Sequence, residues 1–168
     1  QALREIYDEA IATRDPDSCI TKQPTNFLSA LCPTIVLDDA EEAFQIGARG
    51  QKFFAESIQH WNLGTPLPER VPPEIDIRDA VSDAKEQVEA FMVEGGHPVP
   101  SVVASTSPFN IEHAYGNKND AIEYVAQLQK AGADEIMCIM QMGGVPHEAA
   151  METIRQYGQY VIPHFSDN

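Results

Sequence analysis

The chain has 168 residues, with 11 Lys plus Arg against 26 Asp plus Glu and a net charge of −15. Such a surface repels phosphate backbones and anionic lipid, which argues against nucleic-acid and membrane partners. No apolar run approaches the length of about 18 residues that a membrane helix needs, and these residues hold no signal-peptide pattern.

The length suffices for one domain, residues 1–168, with a real core. The three cysteines, Cys19, Cys32 and Cys138, are an odd count without a CxxC pair. That fits a reducing cytoplasm better than a disulfide scaffold.

Taken in order, Gln1 to Arg14 reads as a helix, with Leu3, Ile6, Tyr7, Ala10 and Ile11 on one stripe and Asp15-Pro16-Asp17 at its end. Cys19-Ile20-Thr21 and Thr34 to Leu37 both read as strand, with Pro24 and Pro33 as breakers. Asp38 and Asp39 cap the next helix, Ala40 to Trp61, because a carboxylate accepts from free N–H groups at a helix start. Ala40, Ala43, Phe44 and Gly47 form one face of it. The Asp-Asp-Glu-Glu run here has no histidine at ligand spacing, so capping and a solvated face explain it.

Gly64 to Glu74 carries prolines at 66, 68, 72 and 73 and reads as a loop. Ile75 to Glu94 has helical spacing, and Gly95-Gly96-His97-Pro98 ends it. Ser101 to Ala104 suits a short strand, and Ser105 to Pro108 a turn. Ile111 to Gly116 is a further strand, and Gly116 to Asp120 the turn into a helix buried through Ala121, Ile122, Val125 and Leu128.

Gly132 closes that helix. Glu135 to Met140 is a nearly unbroken apolar run, as in a parallel strand covered on both faces. Met142-Gly143-Gly144 forms a loop, and Pro146 starts a helix with Ala150, Met151, Ile154, Tyr157 and Val161 on its apolar stripe. Pro163 is expected to stop it.

The ordered set GADE, apolar strand, Gln, GG, PHE, helix and Val-Ile-Pro-His-Phe, dense over Tyr115 to Phe165, resembles the C-terminal end of bacterial luciferase-like monooxygenases. The likeness continues more loosely over Gln1 to Trp61. It implies an α/β fold, the C-terminal part of a (β/α)8 TIM-type barrel, and an enzyme using reduced FMN and O2 to oxidise a small organic substrate. A flavin reductase as FMN supplier and a homo-oligomeric state are implied with it. A deazaflavin-dependent oxidoreductase of the same fold stays open.

Such barrels typically need about 250 residues, so the chain is read as roughly the second half of one, with residues 62–110 as an insert or lid. The rival reading is a non-catalytic half-barrel that acts by self-association or by pairing with another subunit. On the barrel reading, sites lie at the C-terminal ends of strands.

Gln141, Gly143 and Gly144 are then the cofactor-binding candidates. Gln141 both donates and accepts, and the glycines allow close backbone approach beside free helix N–H groups. His147 is the candidate acid or base, with hydrogen bonding at a helix start as its ordinary role. His113, within a strand pattern, is the second catalytic candidate, with a satisfied core histidine as its alternative. Glu148 disfavours a phosphate directly alongside it. Asn26 and Phe27 read first as a loop and a packed aromatic, second as pocket residues. The five histidines show no zinc spacing, and no metal is expected.

Overall fold

The computed structural model describes residues 2–15, 17–21, 23–80 and 115–166. Its first element is helix α1, Ala2–Thr13. Cys19-Ile20-Thr21, expected as strand, is instead a bend whose Ile20 is fully exposed. The run is short, and Ile20 gains no burial that would hold it in a strand. The first strand lies further on, as β1, Ser29–Pro33, followed after Thr34 by β2, Ile35–Val36. Helix α2 is Ala40–Leu63, strand β3 Tyr115–Gly116, helix α3 Lys118–Lys130 and strand β4 Glu135–Ile139. Helix α4, His147–Gln156, runs through a π-helical turn at Tyr157–Val161 into α5, Ile162–Ser166.

Among the described residues all the pairing is parallel. β1 pairs with β4 from Ser29↔Glu135 to Pro33↔Ile139, and β2 with β3 through Ile35↔Tyr115 and Val36↔Gly116. The ladders extend by Thr34 N–H to Ile139 C=O (2.9 Å) and Leu37 N–H to Gly116 C=O (3.1 Å). Alternate backbone groups of a strand point to opposite edges. The segment 29–37 therefore holds β4 along one edge and β3 along the other. Pro33 fits here because the donor it lacks would point away from β4.

Local chemistry sets the helix ends. Asp39 caps α2 by accepting from the N–H groups of Glu41 (2.8 Å) and Glu42 (3.1 Å), and Gly64 ends it at φ 67°. Asn117 and Asp120 form a capping box at the start of α3. Gly132 follows α3 at φ 97°, and a Cβ there would meet Arg4 Cγ at 2.8 Å. Arg4 clips α1 to this corner, donating to Asp134 (2.7 Å), the Gly132 carbonyl (3.2 Å) and Asn26 (3.0 Å).

The π-helical turn accounts for a second difference from expectation. Pro163 does not stop the helix but sits inside α5. A proline in a regular helix lacks one N–H and its ring presses on the carbonyl four residues back. The wider turn at Tyr157–Val161 shifts the hydrogen-bond register just before it, so the helix continues.

The core gathers Cys32, Ile35, Ala43, Ala48, Ile77, Tyr115, Met142 and Val145. A second cluster joins Val36, Ala121, Tyr157 and Val161. Burial alternates along β1 and β4, so the expectation of a strand covered on both faces is met on one face only. Leu31 and Met137, register partners, are 62% and 48% exposed. The expected stripe of the last helix is likewise split: Ala150, Tyr157 and Val161 are buried, whereas Met151 and Ile154 face outward. The inward positions between them belong to Thr153 and Gln156, both fully buried. Thr153 Oγ1 accepts from the Val36 N–H (2.9 Å) and donates to the Ala149 carbonyl (2.8 Å).

The proline-rich segment after α2 is held against that helix by charge. Arg78 makes two 2.7 Å bonds to the Glu41 carboxylate and stacks 4.2 Å over the Phe44 ring, while Gln45 donates to Asp76 at 2.8 Å. The Arg78 hydrogen bonds, then that from Gln45, take the Glu41 carboxyl from its ordinary 4.5 down to about 2. A group with a depressed folded pKa stabilises above its unfolded value and loses that effect as pH falls through the folded one. The clasp should therefore weaken as pH drops from about 4.5 to about 2. In urea titrations, Arg78→Ala should flatten the acid-side loss of stability in this window. An unchanged pH profile would mean the clasp contributes nothing in solution.

The helix expected over Ile75 to Glu94 begins at residue 77 and is helical to residue 80. Its remainder, the rest of the 62–110 insert beyond residue 80, the Ser101 to Ala104 strand and the Ser105 to Pro108 turn lie outside the described residues.

Candidate functional site

The C-terminal ends of the strands carry Asp38 and Asp39 after β2, Asn117 after β3, and the loop 140–146 after β4. Asp39 and Asn117 are committed to their caps. Asp38, expected as a cap, instead accepts from Gln156 Nε2 at 2.7 Å. Gln156 also donates to Glu152 (2.9 Å), and its buried Oε1 meets no donor among the described residues.

The loop after β4 is built from the inside. Met142 and Val145 are buried and anchor it, and the Val145 N–H bonds the Met142 carbonyl at 3.0 Å. Gln141 Nε2 closes the same turn by donating to the Val145 carbonyl at 2.8 Å. Its amide nitrogen is thus engaged within the loop. Gly143 has φ 52°, the left-handed region where glycine avoids a Cβ penalty. A Cβ there would lie 2.6 Å from the Gly50 carbonyl oxygen, and one at Gly50 would lie 2.7 Å from the Met142 carbonyl oxygen. The two glycines interlock the loop with α2, so the close approach anticipated for a ligand at Gly143 is made by this protein's own helix.

Gly144 differs. It is exposed, and the side of its missing Cβ is faced by the Arg70 guanidinium, 3.3 Å from where that Cβ would be. Arg70 in turn lies 5.3 Å over the Phe53 ring of α2. Pro146 precedes α4 without a side-chain cap, so no capping side chain occupies the first-turn N–H groups. His147, exposed, is the first residue of α4, and Glu148 is beside it.

The structure therefore brings together Gln141, Gly143, Gly144 and His147 on one loop and helix start. His113 lies outside the described residues. Asn26 and Phe27 sit at the opposite, N-terminal end of β1, where Asn26 receives Arg4 and Phe27 is 48% exposed.

Chemically, the cluster offers a cation, backbone donors and an imidazole around an open glycine. It suits an anion such as a phosphate monoester, with Glu148 as the opposing charge. Arg70 escaped the sequence reading. It stands in a proline-rich loop remote in sequence, and only the packing of that loop on α2 brings it over Gly144.

Among the described residues no helix is long and apolar enough to cross a membrane. In comparisons with known proteins, no family model, no curated protein and no solved structure matches the chain.

Proposed function

We propose that this chain is the C-terminal portion of a luciferase-like, reduced-flavin-dependent monooxygenase of the (β/α)8 class, working in the cytoplasm. The parent would take FMN from a flavin reductase, activate O2 and oxidise an organic substrate. The observation that carries the reading is the ordered residue set from Tyr115 to Phe165. Support comes from the parallel pairing of the described strands, with α3 as the crossover from β3 to β4, and from the exposed Leu31–Met137 face, which the inner wall of a barrel would bury.

Residues that fit an FMN phosphate are Arg70 and the Gly144 backbone, with Glu148 in the first turn of α4 as a charge against it. Gln141 Oε1 is placed for a ring or substrate donor, and His147 for proton exchange at the same mouth. The bound cofactor would supply the oxygen chemistry, and these residues would hold and orient it. In a closed barrel consecutive strands are neighbours, so the parent would hold β3 between β1 and β4, whereas in this structure β1 pairs with β4 directly.

The test is titration of oxidised and reduced FMN into the longest natural form of the protein. Binding in the reduced state, lost in Arg70→Ala, is the expected result. No binding in either redox state overturns the reading, and selective binding of a reduced deazaflavin moves it to the related oxidoreductases.

A second reading, a half-barrel that self-associates, is favoured by the same exposed Leu31–Met137 face. Sedimentation decides it: a monomer at all concentrations removes it.

A further inference from the structure

Two of the three cysteines stand side by side. The parallel register pairs Cys32 of β1 with Cys138 of β4, so both side chains leave the same face of the strand pair. Neighbouring strands lie about 4.8 Å apart, within the Cα separation of about 4.4–6.8 Å that a disulfide spans.

This is the covered face. Cys32 is fully buried, with the Thr34 hydroxyl 3.2 Å from its sulfur, whereas Cys138 is partly exposed. The Tyr124 hydroxyl contacts Cys32, and that of Tyr157 contacts Cys138. Among the described residues no group of three or more His, Cys, Asp or Glu is placed to hold a metal ion.

We infer that Cys32 and Cys138 form an intramolecular disulfide, locking β1 to β4, when the protein meets hydrogen peroxide. The partly exposed Cys138 reacts first. Its thiolate attacks one peroxide oxygen, an S–O bond forms, the O–O bond breaks, and the departing hydroxide takes a proton to become water. Cys32 then attacks the sulfenic sulfur. An S–S bond forms, and the S–O bond breaks to release a second water. The two thiols are oxidised by two electrons and the peroxide is reduced by two. Burial pushes the Cys32 thiol up from its ordinary pKa, which disfavours its thiolate and leaves the first attack to Cys138. The inference rests on the direct β1–β4 pairing of this structure, and not on the barrel reading, which would part those two strands.

The experiment uses the Cys19→Ser chain, which keeps only the two thiols in question. After peroxide treatment and denaturation, alkylation should find both thiols lost together. The intact mass should fall by two hydrogens, and a linked peptide should join the Cys32 and Cys138 segments. The oxidised protein should unfold at a higher urea concentration than the reduced one, and dithiothreitol should reverse the shift. Cys138→Ala, which spares the buried position, should leave Cys32 fully alkylatable. The proposal is overturned if both thiols stay alkylatable after peroxide, or if Cys138 advances to the sulfinic acid while Cys32 stays free.

Discussion

Gly143→Ala is expected to destabilise the protein by about 3 kcal/mol, combining about 1–2 kcal/mol for a left-handed L-residue with about 1–3 kcal/mol for overpacking. Both terms arise at one atom. The backbone has φ 52°, and the new methyl would sit 2.6 Å from the Gly50 carbonyl oxygen and 3.2 Å from Phe53. The Gly50 carbonyl belongs to α2, so relief requires the loop to lift off the helix and expose Met142 and Val145. For a chain of this size the midpoint of thermal unfolding should fall by about 6–12 °C.

Gly144→Ala is the internal control. Its methyl meets only the Arg70 guanidinium, the far end of a flexible side chain, so stability should change little. Any anion binding at the loop should weaken. Equal losses of stability at the two glycines would mean that the interlock with α2 does not exist in solution. A loss of FMN binding at Gly144→Ala without a change in melting would favour a ligand site over a plain turn.

The second large effect is expected at Gly47→Ala. In an ordinary helix interior this change gains about 1 kcal/mol. Here the added Cβ would fall 2.2 Å from Cδ1 of Tyr115, a contact only a displaced ring can relieve. Tyr115 is buried and donates to Gln51 Oε1 at 2.6 Å. Burial drives the phenol pKa upward, so the hydroxyl remains a donor across the working range. Moving the ring breaks that bond and leaves a buried amide oxygen unsatisfied, which by itself costs about 1–3 kcal/mol.

A net loss of about 2–4 kcal/mol is expected from overpacking and the broken bond together. A double-mutant cycle gives the mechanism. In a Tyr115→Ala background, Gly47→Ala should be neutral or stabilising. The same loss in both backgrounds would place its cause elsewhere in α2.

These glycines also mark how far the sequence could be read. Helix limits were legible where a short side chain acts on its own backbone, as at Asp39 and Asn117, or where a glycine takes a positive φ, as at Gly132. The spacing of Ala43, Phe44 and Gly47 gave the buried face of α2, because helical periodicity is a local signal. Ser29–Pro33 carried no comparable mark. SALCP has little β preference and ends in proline, and it is a strand because β4 pairs with it. Pro163 misled for the opposite reason. Its local preference is real, but the π-helical turn before it removes the conflict, and no residue type announces such a turn.

At the candidate site, Gln141, Gly143 and Gly144 could be picked out by type and order. Their division of labour could not, since it depends on Gly50 and Arg70, which reach the loop only through tertiary packing.

The hydroxyl of Thr153 has a further consequence. Beyond Ile139, β4 has ended, and the edge of β2 would otherwise present the Val36 N–H as an open donor. A bare edge of this kind is a template on which the backbone of a second molecule can add and start an aggregate. Thr153 occupies that donor from within, at 2.9 Å, and its helix lies across the approach. One buried threonine thus serves as a stopper, ending the sheet where the chain itself runs out of strand.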